Sequence, residues 1–183
     1  DCLVGSEMCI RDRHNARNAM VALLAVNIYG IKLTDGINSL KKFKGVAKRQ
    51  DLLMDEERLL LIEDFAHHPT AIETTLIGIK KAYSNRKIYA AIELRSNTMK
   101  SGFHDDRLIN VCSLVDKVFW KSEDKDQAKK LVEALPDKSS QIINIENFID
   151  EFKQINRKGD VLVVMSNGNF DNLSQLLMNE FKK

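Results

Sequence analysis

Cysteine and proline are scarce in this sequence, with three cysteines and two prolines among 183 residues. Three cysteines without metal-ligand spacing argue against a disulfide framework and against a zinc site. No apolar run approaches the roughly 20 residues that cross a bilayer, and the first residues lack the basic and apolar regions of a signal peptide. The net charge of +2 is far from the concentrated positive charge of nucleic-acid binders. We therefore expect a cytoplasmic protein without membrane insertion and without a nucleic-acid partner.

The residues that are present have an ordinary globular composition, with 44% apolar and 30% charged residues. Residues 1–13 (DCLVGSEMCIRDR) show neither helical nor strand periodicity. They resemble translated sequencing-adapter read-through and are interpreted as non-native, so they are excluded from the fold. Cys112 is then the native cysteine, and its apolar neighbours predict burial.

Helical patterns come first along the chain. His14–Tyr29 has apolar residues near helical spacing, with Gly30 as the expected stop. A second short helix follows, and then the basic, glycine-containing stretch Lys41–Arg49. We place a domain boundary in that stretch, which divides the chain into residues 14–42 and residues 43–183.

From Leu59 onward, short β-rich runs alternate with amphipathic helices, which is typical of an α/β domain with a mainly parallel sheet. Pro69 fits the first turn of a helix, where its missing N–H costs nothing. The predicted strands are Leu59–Glu63, Lys87–Leu94, Lys117–Trp120, Gln141–Ile145 and Asp160–Met165. The predicted later helices are Arg107–Val115, Asp126–Leu135, Glu146–Ile155 and Asn172–Phe181.

Three loops that follow strands carry the polar residues of interest: Asp64–Pro69, Arg95–Gly102 and Ser166–Phe170. In open α/β sheets, ligands bind beyond the carboxyl ends of the strands. These loops are therefore the candidate sites.

The first loop puts a carboxylate and two imidazoles between a strand and a helix amino terminus, where the helix dipole favours anions. Asp64 could accept a hydrogen bond from a ribose hydroxyl, and His67 or His68 could donate to a phosphate. It is equally consistent with the pattern that Asp64 caps the helix and that the histidines are surface residues. Adjacent histidines are poorly placed to bind one zinc ion, so no metal site is expected.

The other two loops are also ambiguous by themselves. Arg95, Ser96, Asn97 and Thr98 combine a guanidinium fork with small polar groups, which suits a carboxylate ligand but is also ordinary for an exposed turn. Gly168 lies in a loop whose backbone amides could approach a bound group. No GxxxxGK[ST] phosphate-binding loop occurs in the sequence.

Taken together, these segments resemble the Mur ligase family over residues 14 to almost the end of the chain. The matching segments are His14-Asn15-x-x-Asn18-Ala19, Phe43-x-Gly45-Val46, Asp64-Phe65-Ala66-His67-His68-Pro69-Thr70-Ala71-Ile72, Arg95-Ser96-Asn97-Thr98-Met99-Lys100 and Val164-Met165-Ser166-Asn167-Gly168. The Asp64 segment is typical of the whole superfamily, which includes folate-polyglutamate ligases. The RSNTM and MSNG segments narrow the resemblance to ligases that accept a peptide.

The resemblance implies a Rossmann-like carboxy-terminal domain (43–183), preceded by helices from the end of a central ATPase domain (14–42). It also implies an enzyme that uses ATP and Mg²⁺ to activate UDP-N-acetylmuramate as an acyl phosphate. The amine of the murein tripeptide L-Ala-γ-D-Glu-meso-diaminopimelate then attacks the acyl phosphate, in peptidoglycan recycling. The oligomeric state is not implied.

The resemblance also implies roles for individual residues. His14, Asn15 and Asn18 would lie beside the adenine, Asp64 would hold the ATP ribose, and His67 would lie near the phosphates. Asp64 and His67 are thus the predicted catalytic residues. Arg49 is the predicted junction residue that reaches ATP, although the unusual sequence there leaves Lys48 as an alternative. The expected substrate-binding residues are Arg95, Ser96, Asn97, Thr98, Ser166, Asn167 and Gly168.

The phosphate-binding loop, the metal-binding carboxylate and the UDP-sugar domain of such an enzyme have no counterpart in this sequence. We therefore expect the chain alone to be inactive as a ligase. Three alternatives remain open: a Mur ligase that adds a single amino acid, such as L-alanine, a non-catalytic nucleotide-binding α/β module, and a purely structural α/β interaction domain.

Overall fold

A computed structural model describes residues 13–43, 46–95, 99 and 104–182, with side chains from residue 16 onward. Contacts divide the chain into one unit that ends at Ala47 and a second that begins at Lys48. The sequence patterns place this boundary five residues earlier, after residue 42. The assignment of the first unit to a central ATPase domain stays a prediction.

The first unit contains two helices, α1 (Arg13–Ile28) and α2 (Leu33–Leu40). Gly30 adopts φ +87°, which is the left-handed conformation that ends many helices. Its N–H donates to the Asn27 carbonyl at 3.0 Å, while the Ile31 N–H donates to the Val26 carbonyl at 3.1 Å. This Schellman arrangement confirms Gly30 as the predicted helix stop.

The second unit is built on a six-stranded sheet in the order β1-β2-β6-β3-β4-β5. Only β1 and β2 pair antiparallel, and the other neighbours pair parallel. The predicted mainly parallel α/β domain is thereby confirmed. The strands are β1 (Asp51–Glu56), β2 (Leu59–Asp64), β3 (Ile88–Leu94), β4 (Lys117–Ser122), β5 (Ser139–Gln141) and β6 (Val161–Met165).

Helices cover both faces of the sheet, so the central strands read as continuous apolar runs rather than alternating ones. One face packs against α3, α4 and α5, and the other packs against α6 and α7. The helices are α3 (Pro69–Ala82), α4 (Asp105–Cys112), α5 (Lys125–Ala134), α6 (Ile145–Ile155) and α7 (Leu173–Phe181). Within the described residues, no helix combines the length and apolarity that spanning a membrane requires.

One strand was missed and one predicted strand was misplaced. The antiparallel edge strand β1 was not predicted, because its short apolar core is followed immediately by charged turn residues. The strand predicted at Gln141–Ile145 ends at Gln141 instead. Ile143 is 77% exposed, and the side chain of Asn144 accepts a hydrogen bond from the Asn147 N–H at 3.0 Å. Asn144 therefore caps α6, which draws the following isoleucine into the helix.

Cys112 is fully buried, as the sequence predicted. Its Sγ donates to the Leu108 carbonyl of the same helix at 3.1 Å. Burial raises the pKa of the thiol to about 12. A thiol with this pKa carries almost no thiolate at neutral pH, so Cys112 is a core residue rather than a nucleophile.

Phe152 on α6 is the centre of an aromatic cluster, and it is fully buried. Its ring lies 5.4 Å from Tyr89, 6.0 Å from Phe148 and 6.0 Å from Phe181. We expect Phe152→Ala to lower the free energy of unfolding by about 3–5 kcal/mol, because it leaves a cavity between the sheet and α6. Chemical denaturation measures this loss, and the matched variant Phe65→Ala, at a residue 42% exposed, should change stability by less than about 1 kcal/mol. Equal losses in both variants would contradict the assigned core.

Candidate functional site

The carboxyl ends of β2, β6 and β3 lie side by side, because β6 pairs with β2 on one side and with β3 on the other. The loop at Asp64, the loop at Ser166 and the start of the loop at Arg95 therefore meet at one edge of the sheet. The Ser166 N–H donates to the Asp64 carbonyl at 3.1 Å, which joins two of these loops directly. The structure thus brings together three segments that are far apart in sequence.

Asp64 is 8% exposed, and its carboxylate faces the backbone of neighbouring segments. Oδ2 accepts from the Gln50 N–H at 2.8 Å, and Oδ1 accepts from the Ala66 N–H at 2.7 Å and from the Thr75 hydroxyl at 3.4 Å. Burial raises the pKa of Asp64, while the hydrogen bonds and the charge of Arg49 oppose that rise. Asp64 does not cap α3. Instead its hydrogen bonds connect three segments: the backbone at Gln50, the loop that contains Ala66, and α3 at Thr75.

His67 is partly buried beside Phe65, with the two rings at 5.0 Å edge to face. Its Nδ1 lies 2.9 Å from the Phe65 carbonyl oxygen, which can only accept. Nδ1 therefore carries a proton, and this tautomer follows from the partner. The other ring nitrogen, Nε2, is the atom that can contact a ligand.

His68 is the residue that caps α3. Its Nδ1 accepts from the Thr70 N–H at 3.4 Å, and its ring stacks edge to face on His104 at 4.8 Å. Burial lowers the pKa of His68, and the nearby positive charges of His104, Arg107 and His67 lower it further. A neutral imidazole is required here, because a protonated Nδ1 could not accept the cap hydrogen bond.

A row of polar side chains crosses the sheet at this edge, on the face that α6 and α7 cover. In a strand, residues two positions apart lie on the same face of the sheet. The residue two positions before each member is buried in the core under α6 and α7, so all four members lie on that face. We call four residues the polar row, in the order of the sheet: Glu63 on β2, Ser166 directly after β6, Glu93 on β3 and Lys121 on β4. Glu63, Glu93 and Lys121 were not predicted as site residues. Each of the three is the last residue but one of its strand, and this position is a sequence signal from which they could have been predicted.

Hydrogen bonds connect the polar row. The Ser166 hydroxyl donates to Glu93 Oε2, and Glu93 stands opposite Lys121 in the strand register. Glu63 Oε1 accepts from the Ser174 hydroxyl of α7 at 3.0 Å. The members of the row are therefore buried or half-buried, with Ser166 bonded to Glu93 and Glu63 bonded to α7.

Lys48 extends the polar row at the side of β2. Its ammonium donates to the Gly168 carbonyl and lies 4.0 Å from Glu63 Oε1. Its own carbonyl accepts from the Phe65 N–H at 2.6 Å, and its backbone has φ 58°. Lys48 is thus bound to the sheet edge, whereas the side chain of Arg49 is exposed. The choice of Arg49 as the residue that reaches a nucleotide stays a prediction.

Gly168 lies directly under the guanidinium of Arg95. A Cβ at residue 168 would overlap that group, with Arg95 Cζ at 3.0 Å. Gly168 is not in a left-handed conformation, and the atoms that a Cβ would meet belong to the flexible end of an exposed side chain. Arg95 is exposed at the same edge, and a guanidinium in that place can bind a carboxylate through two parallel hydrogen bonds.

The loop beyond Gly168 contains an unusual turn. Phe170, Asp171 and Asn172 have φ values of 45°, 48° and 59°, all in the left-handed region. Such a conformation is unfavourable for these residues and persists only where surrounding contacts hold it. Two contacts do so: Phe170 is 1% exposed within the core, and Asp171 forms an ion pair with Lys121.

The remaining predicted residues are less fully described. Asn167 has a buried Oδ1 with no hydrogen-bond partner within the described residues. Ser96, Asn97 and Thr98 lie outside the described residues, and His14 and Asn15 are described only as backbone in α1. Asn18 is exposed on α1. Within the described ranges, no group of three or more His, Cys, Asp or Glu residues could hold a metal ion.

Comparison with known proteins supports a family assignment. Residues 48–168 match the family model described as Mur ligase, glutamate ligase domain. The chain is 31% identical over 179 residues to the Escherichia coli UDP-N-acetylmuramate–L-alanyl-gamma-D-glutamyl-meso-2,6-diaminoheptandioate ligase, covering 93% of this chain and 38% of that protein. It is 27% identical over 191 residues to the Clostridium acetobutylicum UDP-N-acetylmuramate–L-alanine ligase, covering 98% of this chain and 41% of that protein.

One solved structure agrees with these relatives. A murein peptide ligase from Psychrobacter arcticus is 35% identical, with a TM-score of 0.69. The match covers 91% of this chain and 36% of that one. The chain therefore spans well under half the length of the relatives that it matches.

The carboxylate of Asp64 predicts a specific effect on stability. Each oxygen of the Asp64 carboxylate accepts from a backbone N–H, at Gln50 and at Ala66. An Asn side chain at residue 64 keeps one acceptor oxygen, but its NH₂ group then faces the other N–H donor and cannot accept from it. We expect Asp64→Asn to lower the free energy of unfolding by about 1–3 kcal/mol, as measured by chemical denaturation. Thr75→Val keeps both backbone hydrogen bonds and should cost less; a larger loss for Thr75→Val would contradict this assignment.

The cap formed by His68 predicts a dependence on pH. Because the pKa of His68 is lower in the folded state, the unfolded chain binds more protons. The contribution of His68 to stability is therefore fully present above the ordinary pKa of about 6.5, and it is lost as the pH falls through the folded-state pKa. His68→Asn keeps a capping acceptor that does not titrate. Melting temperatures measured from pH 8 to pH 5 should therefore fall further for the unaltered chain than for His68→Asn, and parallel curves would contradict the proposed cap.

The parallel α/β sheet, the strand-end loops and the matches over most of the chain all agree. The chain belongs to the Mur ligase family, whose glutamate ligase domain it contains.

Proposed function

We propose that this chain provides the acceptor side of an ATP-dependent ligase that joins UDP-N-acetylmuramate to L-Ala-γ-D-Glu-meso-diaminopimelate in peptidoglycan recycling in the cytoplasm. The observation that carries the proposal is the guanidinium of Arg95, which rests on Gly168 where three strands end. The tripeptide carries several carboxylates, and a guanidinium fork binds such groups with defined geometry. The E. coli relative is named for this peptide, which supports the same acceptor.

The proposed reaction forms an amide from an activated carboxylate. ATP converts the carboxylate of UDP-N-acetylmuramate into an acyl phosphate, the peptide amine attacks its carbonyl carbon, and phosphate leaves as the amide bond forms. The residues of this chain contribute by holding the peptide so that its amine reaches that carbon. Arg95 binds a peptide carboxylate, and Ser166, Asn167 and Gly168 form the floor beside it. Ser96, Asn97 and Thr98 are proposed to complete the peptide site.

The nucleotide side of the site is proposed to involve Asp64 and His67. The two carboxylate oxygens of Asp64 accept three hydrogen bonds, which leaves room for one donor such as a ribose hydroxyl. His67 presents Nε2, which can donate to a phosphate oxygen when the ring is protonated. Arg49 is proposed to reach ATP from the junction, and His14, Asn15 and Asn18 are proposed to lie beside the adenine. The Mg²⁺ ligands are proposed to come from the part of the enzyme that this chain does not span.

A ligase that adds L-alanine is the second candidate, because the C. acetobutylicum relative matches nearly the whole chain. A non-catalytic nucleotide-binding module is the third. That module would bind ATP tightly as the isolated chain, whereas a chain without a phosphate-binding loop should bind ATP weakly or not at all. Calorimetric titration of the chain with ATP separates the third candidate from the other two.

Exchange of the domain between relatives tests the acceptor. Residues 48–183 would replace the corresponding segment in the E. coli tripeptide ligase and, separately, in the C. acetobutylicum L-alanine ligase. We expect both chimeras to use the tripeptide, because the acceptor site lies in the exchanged segment. Amide formation is measured with each acceptor in the presence of UDP-N-acetylmuramate, ATP and Mg²⁺. Preference for L-alanine in both chimeras would establish the second candidate instead.

Arg95→Lys in the E. coli chimera tests the carboxylate contact. Lysine keeps the charge but loses the two-pronged fork, so we expect the KM for the tripeptide to rise about tenfold with little change in kcat. Arg86 lies just before β3, at the amino end of the strand and away from the candidate site. Arg86→Lys is therefore the matched control and should leave both KM and kcat unchanged. An unchanged KM for Arg95→Lys would show that Arg95 does not bind the peptide.

A further inference from the structure

Glu93 occupies the middle of the polar row and has no role in the proposed function. It lies on β3 two residues before Arg95, on the face of the sheet that α7 covers. The opposing residue on β4 is Lys121, and the neighbouring residue beyond β6 is Ser166. Glu93 therefore stands between an ammonium group and a hydroxyl.

The hydroxyl of Ser166 is oriented by its two partners. A serine hydroxyl has one proton to donate and two lone pairs that accept. The proton goes to Glu93 Oε2, so the oxygen is free to accept the Gly168 N–H at 2.8 Å. Ser166 is 4% exposed, so water does not readily replace either partner. The acceptor on Glu93 thus determines which way the Ser166 hydroxyl points.

Gly168 is held from both sides of its backbone. Its N–H donates to Ser166, and its carbonyl accepts from the ammonium of Lys48. The same glycine is the surface on which the Arg95 guanidinium lies, with no room for a Cβ between them. The guanidinium of Arg95 therefore lies directly against this one peptide segment.

We propose that Glu93 is a positioning residue for the acceptor site: it orients the Ser166 hydroxyl, which holds Gly168 in place beneath the guanidinium of Arg95. This inference rests on the proposed function for the role of Arg95. Glu93 acts through Ser166 and Gly168 and does not itself contact the peptide.

Lys121 stands opposite Glu93 in the strand register. Its ammonium also forms an ion pair with Asp171, in the left-handed turn that follows the Gly168 loop. Burial lowers the pKa of Lys121, and the carboxylates of Glu93 and Glu123 oppose that change. Lys121 therefore lies next to Glu93 and binds the far end of the loop through Asp171.

The test follows Arg95 directly in the full 183-residue chain by nuclear magnetic resonance of its Nε–Hε group, assigned with Arg95→Lys. We expect Ser166→Ala and Glu93→Ala to shift this resonance and to increase its mobility. Gly168→Ala, which displaces the guanidinium, provides the signature of a misplaced arginine. The conservative variants Ser166→Thr and Glu93→Gln keep a hydroxyl or an acceptor and should retain most of the original signal. Glu133→Ala, at an exposed glutamate of α5, should have no effect.

Titration with L-Ala-γ-D-Glu-meso-diaminopimelate separates this inference from the proposed function. We expect Ser166→Ala and Glu93→Ala to weaken binding about three- to tenfold, with Ser166→Thr and Glu93→Gln close to the unaltered chain. An Arg95 signal that stays unchanged in Ser166→Ala would overturn the positioning role, even if Glu93→Ala fails to fold. If Arg95 responds as expected but the unaltered chain does not bind the peptide, the positioning role stands and the proposed acceptor is wrong.

Discussion

The insertion of β6 between β2 and β3 is the constraint on which the rest of this structure depends. All five residues of β6 are buried, and their backbone groups pair with a strand on each side. A buried peptide group without a hydrogen-bond partner is costly, so both ladders must form if the strand is to be buried at all. The pairing aligns the carboxyl ends of three strands. Asp64, Glu93 and Ser166 become neighbours for that reason and not because of any local preference.

Charges at this edge are stable because they are paired rather than because they are exposed. Removing a carboxylate from water is unfavourable, and the raised pKa of Asp64 shows that this cost exceeds the effect of its hydrogen bonds. The polar row alternates charge, with Lys48 beside Glu63 and Lys121 beside Glu93. Removal of one member leaves its half-buried neighbour without that partner. Such a set of neighbours can hold the strand ends in one place while the loops around them remain at the surface.

Family membership and the particular reaction rest on different observations. The parallel sheet and the Asp64 segment are features that a whole superfamily can share, so they establish the family without selecting an acceptor. Relatives named for the tripeptide and for L-alanine both match most of this chain, so overall similarity does not select the acceptor. The acceptor proposed above rests instead on the place where Arg95 meets Gly168, at the ends of β3 and β6.

Local sequence determined much of this protein: the α/β class, the helix that begins at Pro69, the stop at Gly30 and the three loops that follow strands. These features depend on residues a few positions apart, where periodicity and backbone preference act directly. The edge strand β1 and the polar row were decided by the tertiary structure. Glu63, Glu93, Lys121 and Ser166 are far apart in sequence, and only the order of the strands in the sheet makes them partners. Sequence alone therefore indicated which loops could form a site, and strand pairing decided which polar side chains become neighbours there.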